Sequence, residues 1–291
     1  MKEPGKDYPL PGVEISVADH LAPLVTPAAG GDGWESGPNE FLFNAPGTGT
    51  FYARDGKSVL YRADSGADPE WIRLILHSQV LAALLHQRGI INFHAGSFVH
   101  HGRRGHSGHG VMALGATGAG KSSLVIASAQ SGATFLTDDF TPVVFRDGYP
   151  CIWPLRRKVK IRPDTAFQLG IAPGDIHDAE AGTGKKYLNI EQAGEGSYPL
   201  DMILRLEVGE VDAPVFSEPA PSEAFALLRG EICSWEILAG MPDTEADYLQ
   251  QLVKIIERVH FVRVVRPTTI RITELQEAVL KFLAGLTGQD F

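Results

Sequence analysis

Cysteine is nearly absent from this chain: Cys151 and Cys233 are the two among 291 residues, and neither has a paired-ligand spacing. That excludes a disulfide framework and a cysteine-based zinc site, and it suits a reducing cytoplasm. Basic residues are also scarce, 26 Lys and Arg against 35 Asp and Glu, for a formal net charge of -9. No cationic excess is available to neutralise phosphates along a duplex, so nucleic acid is not an expected partner. Long apolar runs are missing too. The most apolar stretch, "WIRLILHSQVLAALLHQ", is interrupted by Arg73, His77 and Gln79, and the opening "MKEPGKDYPLPGV" has no apolar core of the signal-peptide kind. The expectation is a soluble cytoplasmic protein with no membrane partner. Its 44% hydrophobic content is ordinary for a globular chain with a sizeable core.

What is present divides the chain in three. Residues 1–38 are rich in Pro and Gly without a clear period, and irregular structure is expected there. Residues 39–89 read as a small β-rich lobe plus a helix. Within it Asp55-Gly56 supplies a hairpin turn and Asp68-Pro69 a helix start, Gly89 stops the helix, and Trp71, Ile72, Ile75, Leu81, Leu84 and Leu85 form its buried side. Residues 90–291 read as an α/β domain. "INFHAGSFVH" and "GVMAL" look like strands, a helix covers 121–131, and "ATFLTDDFTPVVF" returns as strand. Residues 172–198 look mobile, "LDMILRLEV" is a further strand, and helices are expected near 243–258 and 273–286. The predicted class is α/β with a mixed sheet.

Gly115-Ala116-Thr117-Gly118-Ala119-Gly120-Lys121-Ser122, followed by Ser123, satisfies the phosphate-loop pattern in full. Its glycines let backbone N–H groups converge on phosphate oxygens, Lys121 offers a charge to the β- and γ-phosphates, and Ser122 offers a hydroxyl to Mg2+. Asp138-Asp139, one helix and one strand further on, supplies carboxylates that can hold Mg2+ or its waters and accept a proton from a hydroxyl nucleophile. A solvated Asp pair in a turn is the plainer alternative. His94 is a third candidate, to be weighed against a satisfied core histidine. His100, His101, His106 and His109 in "HHGRRGHSGH" read as the tip of an exposed hairpin, since no carboxylate or paired spacing accompanies them. "LRRKVKIRP" sets Arg156, Lys158, Lys160 and Arg162 on one side and Arg157, Val159 and Ile161 on the other, either a solvated strand face or an anion-binding strip.

"NFHAGSF", "GATGAGKSS" and "TFLTDDFTPVV", in that order, resemble the catalytic domain of the HPr kinase/phosphorylase superfamily, strongly over about 90–146 and loosely over about 40–210. The resemblance implies a P-loop kinase core of that type that uses ATP and Mg2+. Lys121 and Ser122 would hold phosphate and metal, Asp139 would be the proton acceptor, Asp138 its neighbour at the metal, and His94 the active-site histidine. Departures are visible: the superfamily's Glu-Ile-Arg-Gly signature is absent, since Glu207 in "LRLEVGEV" lacks the following Arg-Gly, and the connector from His94 to the loop is longer. Within the superfamily the chain looks more like the branch that phosphorylates a serine at the C-terminus of lasso-peptide precursors. That implies a peptide or small-protein acceptor bearing serine, with Arg156, Lys158, Lys185 and Lys186 as cations for its carboxylate. Homo-oligomerisation is left open.

Other functions compete. A switch GTPase needs a guanine-reading Asn-Lys-x-Asp, which the chain does not contain. A mechanical ATPase is disfavoured by the short interval between Lys121 and Asp139. A small-molecule kinase of the same fold, an HPr-type protein kinase and a non-catalytic nucleotide sensor stay open.

Overall fold

The computed structural model describes residues 8–25, 27–101, 108–155, 157–179 and 184–286, so Arg156 and His106 lie outside it. It is a mixed α/β protein whose chain divides into two units, residues 1–92 with 232–251 and residues 93–231 with 252–291.

The first unit is built on a six-stranded sheet of β1 (Glu14–Val17), β2 (Ala29–Gly31), β3 (Trp34–Gly37), β4 (Glu40–Ala45), β5 (Gly49–Arg54) and β6 (Ser58–Ala63), in the order β1-β6-β5-β4-β3-β2. Three of these strands fall in the stretch expected to be irregular. They are short, and their ladders come from pairing β1 with β6, β2 with β3 and β3 with β4. The β5–β6 hairpin turns at Asp55 and Gly56, whose φ values of 54 and 63 match the left-handed turn that Asp-Gly favours. Asp68 caps α1 (Pro69–Ile75) by accepting a hydrogen bond from the Glu70 amide, a π-helical turn over Leu76–Val80 follows, and α2 (Leu81–Gln87) ends before Gly89. Ile72, Ile75, Leu81, Leu84 and Leu85 are buried as expected, but Trp71 is exposed.

Residues 232–251 return to this unit instead of continuing the α/β domain, which corrects the expectation of one uninterrupted domain over 90–291. The 3₁₀ turn Trp235–Gly240 meets the sheet where the buried Ser36 hydroxyl donates to the Ile237 carbonyl at 2.9 Å. Nearby, fully buried His86 has its Nε2 2.9 Å from the Cys233 carbonyl and its Nδ1 3.2 Å from the Tyr248 hydroxyl.

In the second unit the chain leaves β7 (Ile91–Phe93) through β8 (Gly96–His100), β9 (His109–Leu114), α3 (Lys121–Gln130), β10 (Thr134–Thr137), β11 (Thr141–Arg146) and β12 (Tyr149–Ile152). After a small sheet of β13 (Val159–Ile161), β14 (Ile176–Ala179) and β15 (Lys186–Leu188), with α4 (Pro163–Gln168) between its first two strands, comes the long β16 (Tyr198–Gly209). β17 (Val215–Ser217), α5 (Pro221–Gly230), β18 (His260–Pro267) and α7 (Ile272–Leu286) complete this unit, and α6 (Pro242–Arg258) has its first ten residues in the first unit's 232–251 segment and the rest here. β14 and β15 order part of the stretch expected to be mobile, through the antiparallel ladders β13–β15 and β14–β15.

The sheet runs β10-β8-β9-β16, with β9 and β18 both parallel to β16 and β8 antiparallel to β9. Parallel strands at the centre need cover on both faces. α3 packs Leu124, Val125 and Ile126 into one core with Phe98, Val111, Leu204, Val264 and Val279. The two expected strands around "NFHAGSF" and "TFLTDDFTPVV" are each broken, the first at His94-Ala95 and the second at Asp138–Phe140. Among the described residues no helix is long and apolar enough to cross a membrane.

Burial pushes the His86 imidazole down to about 4, although its bonds to the Cys233 and Ser234 backbone oppose the shift. A folded-state value below that of the unfolded chain gives stability that is complete above pH 6.5 and is lost as pH falls toward 4. Between pH 7 and pH 5 the loss from this group should be about 2 kcal/mol. Urea denaturation at the two pH values checks it: a His86→Asn variant, which does not titrate there, should lose correspondingly less.

Candidate functional site

The glycine loop leaves β9 at Leu114 and closes on α3 at Lys121, with Gly115, Gly118 and Gly120 at φ values of 143, 86 and 108. Only glycine adopts these values without strain, and at Gly115 a side chain would also strike the Leu206 carbonyl, 2.5 Å from where its Cβ would stand. Ala116, Thr117 and Gly118 are exposed and Ala119 is buried. Arg266, on β18, donates from Nε to the Ala119 carbonyl at 2.8 Å and from Nη2 to the Gly118 carbonyl at 3.0 Å. Since C=O and the next N–H point oppositely across a trans peptide, the Gly120 amide is turned away from Arg266.

Lys121 is buried, and its ammonium folds back onto the Gly115 carbonyl. Desolvation lowers its pKa, and the Arg205 charge adds to that, while Glu231, Asp139 and Asp138 oppose it. Arg205 and Glu231 form a largely enclosed ion pair at 3.3 Å, and an Arg205 Nη1 lies 3.1 Å from where a Gly115 Cβ would stand. Arg205, Glu231 and Arg266 therefore join Lys121 at the loop, where the sequence alone pointed to the lysine. Arg205 could have been noticed as a charge inside the apolar run "MILRLEV", whereas Glu231 and Arg266 carry no local signal.

Ser122 donates from Oγ to Asp138 Oδ1 at 2.8 Å, so the start of α3 and the carboxylate pair meet directly. The other oxygen, Asp138 Oδ2, is sealed from solvent without a hydrogen-bond partner among the described residues. Burial and then the neighbouring Asp139 charge push the Asp138 carboxyl up to about 6, against the pull of Ser122, Lys185 and the Asp139 amide. Asp139 behaves oppositely. Burial raises its pKa, but Lys185, Arg157, Lys160 and His94 outweigh that and hold it below the usual carboxylate range. Its φ of 67 is left-handed, a conformation uncommon for non-glycine residues that Asp tolerates better than most.

A hydroxyl and a carboxylate with one sealed, unpartnered oxygen fit a hard divalent cation such as Mg2+. No cluster of three or more His, Cys, Asp or Glu suited to a metal occurs among the described residues, so such an ion would complete its shell with water and ligand oxygens.

His94 lies in the bend between β7 and β8 and is exposed, so it is not a satisfied core histidine. Its amide donates to the Glu231 carbonyl at 2.7 Å. Partial desolvation and the Lys121 charge lower its pKa, with Asp139 and Glu231 opposing. Ser123 stands on the first turn of α3, half-buried.

The basic strip is rearranged relative to expectation. Lys158 is exposed, with its ammonium 4.4 Å from the Tyr187 ring centroid, and Lys186 is exposed on β15. Lys185 and Lys160 act on Asp139 together with Arg157, whose guanidinium stands 4.5 Å over the Phe140 ring. The strand begins only at Val159, so alternation does not dictate where Arg157 points. Arg156 lies outside the described residues.

Among solved structures the chain is similar to the HPr(Ser) kinase/phosphatase from Coxiella burnetii, at 12% identity over 68% of this chain and 99% of that chain, with a TM-score of 0.34. A likeness of that size carries no structural argument, and the site is read from its own geometry. No family model and no curated protein matches the chain.

In protein stripped of divalent ions, carboxyl 13C NMR should show Asp138 titrating near pH 6. Ser122→Ala removes a hydrogen bond that favours the charged form, so it should move that midpoint upward. An unchanged midpoint would mean that the Ser122 contact does not hold the carboxylate.

Proposed function

We propose that this chain is an ATP- and Mg2+-dependent phosphotransferase that passes the γ-phosphate to a serine hydroxyl of a peptide or small protein. The observation that carries the reading is the Ser122–Asp138 contact at the mouth of a complete glycine loop, with one carboxylate oxygen left for a cation. The opposite pKa shifts of Asp138 and Asp139 add support, because they divide one carboxylate pair into two roles.

In this reading the 115–120 amides and the start of α3 take the phosphates, and Lys121 leaves the Gly115 carbonyl for the β- and γ-phosphate oxygens. Ser122 and Asp138 hold Mg2+, which supplies neutralising charge to the phosphate oxygens. Asp139, ionised at neutral pH, accepts the serine proton as the new O–P bond forms and the bond to ADP breaks. His94, uncharged at neutral pH and exposed beside Lys121, orients the γ-phosphate. Lys185, Lys160 and Arg157 favour an acceptor that carries negative charge beside its hydroxyl. The C-terminal serine of a lasso-peptide precursor, with its free carboxylate, satisfies that requirement.

Incubation with labelled ATP, Mg2+ and candidate acceptors tests the reading. Lys121→Ala should weaken ATP binding by about ten- to a hundred-fold, the worth of a charge-assisted hydrogen bond. Asp139→Asn should keep ATP affinity within a few-fold and lose ~10² to 10⁴ in transfer rate. Wild-type turnover by both variants would overturn the assignment.

The acceptor is tested with matched peptides ending in serine. Amidation of the C-terminus, or Lys160→Ala with Lys185→Ala, should raise KM for the peptide without changing ATP affinity. Equal rates on free and amidated peptides would refute carboxylate recognition.

A further inference from the structure

Behind the candidate site runs a chain of buried hydroxyls. Ser97 Oγ lies 2.6 Å from Thr137 Oγ1, Thr137 Oγ1 lies 2.6 Å from Thr141 Oγ1, and Thr141 donates to the Ala95 carbonyl at 3.0 Å. Ser97, Thr137 and Thr141 are 2% exposed or less, so water does not compete for these bonds. The direction of the chain follows from donor counting. Thr141 has one proton, spent on Ala95, so it accepts from Thr137; Thr137 then has none left for Ser97 and accepts from it. Each hydroxyl donates once and accepts at most once, and a chain aligned this way strengthens its own members.

The chain joins two interruptions in the sheet. Ala95 and Ser97 follow His94 at the break between β7 and β8, and Thr137 and Thr141 bracket the Asp138–Phe140 break between β10 and β11. Along β8 and β10 the register shifts between Phe135 and Thr137, which sets Thr137 opposite Ser97. The two segments also approach at Gly96, where an added Cβ would lie 2.9 Å from Val125 Cγ2 and 3.4 Å from Asp138 Oδ1. Ladder hydrogen bonds do not run through either break, and Asp139 holds its left-handed φ inside the second one.

We propose that the Ser97–Thr137–Thr141 relay is a positioning device that fixes the His94 bend and the Asp138–Asp139 turn in a single mutual geometry. For its kinetic consequence this rests on the phosphotransferase reading above; its structural consequence does not. The hydroxyls touch neither nucleotide nor acceptor. They act through the residues they bracket.

Thr141→Val keeps the shape of the side chain and removes both the donor to Ala95 and the acceptor for Thr137; Thr141→Ser keeps both. Amide hydrogen exchange on the metal-free protein gives the first reading. In Thr141→Val, exchange at residues 94–96 and 138–140 should accelerate about tenfold or more while β9 and α3 keep wild-type protection, and Thr141→Ser should restore the slow rates. Unchanged exchange at both breaks, or equal acceleration throughout the unit, overturns the proposal, the second outcome marking a plain loss of stability. Should Thr141→Val not fold, Ser97→Ala, which removes the first donor alone, is read by the same criteria. The second reading is kinetic: kcat should fall about ten- to a hundred-fold in Thr141→Val with ATP affinity kept within a few-fold, and recover in Thr141→Ser. Accelerated exchange at both breaks in Thr141→Val, with a wild type that transfers no phosphate, would uphold the relay and sink the phosphotransferase. Turnover with wild-type kcat in a Thr141→Val protein whose breaks exchange faster would refute the positioning role.

Discussion

The Asp138 carboxylate is the group around which this site is organised. A carboxylate taken out of water without a partner for each oxygen is costly, and a protein retains one where something else supplies the missing charge. Ser122 satisfies one oxygen at 2.8 Å and leaves the other sealed and unpaired. Because Ser122 is the second residue of α3, the same contact ties the carboxylate to the glycine loop, so the geometry of the turn and that of the loop are set together. Asp139, one residue on, faces the cations and takes the opposite electrostatic character. Two adjacent residues of one chemical type are thereby separated by environment alone.

The loop itself is under tension between local and distant forces. Its glycine φ values come from residue type, but its orientation depends on Arg266 gripping two carbonyls from β18 and on the Arg205–Glu231 pair beneath Gly115. Lys121 rests on the Gly115 carbonyl at the start of its own loop, a neutral acceptor that, in the proposed function, a phosphate oxygen would replace without leaving a buried charge unpaired. Glu231 and Arg205 act on the lysine in opposite senses, so the cost of holding the ammonium out of water is partly offset before any ligand arrives.

What could be read from the sequence was what depends on residue type at short spacing. The left-handed glycines between β9 and α3, the Asp55-Gly56 hairpin, the Asp68 cap and the helix stop at Gly89 all require particular residues within a few positions, and each has the expected backbone. The meeting of Ser122 with Asp138 was legible for a related reason, since one helix and one strand leave few ways to return to the same sheet edge. β1 to β3 were not legible, because segments this short become strands only when a partner offers a ladder. Nor were Glu231, Arg205 and Arg266, whose relevance comes from the pairing of β9, β16 and β18 and not from any local pattern. The return of 232–251 to the first unit belongs to the same class. The breaks at His94-Ala95 and at Asp138–Phe140 were not legible as breaks because each is only two or three residues long between apolar flanks that read as strand.

Net charge and local field are separate quantities, and this chain shows why the distinction matters for function. A formal charge of -9 excludes a broad electrostatic footprint for polyanions. Yet Lys121, Arg205 and Arg266 gather at the loop, and Arg157, Lys160 and Lys185 act on the Asp139 turn. Salt screens attraction between exposed charges more than about 10 Å apart, whereas enclosed cations act at contact range. A chain that is acidic overall thus carries basic side chains around its glycine loop and its Asp139 turn. In the proposed transfer, such an arrangement would select a small anionic group by shape and short-range charge and not by long-range attraction.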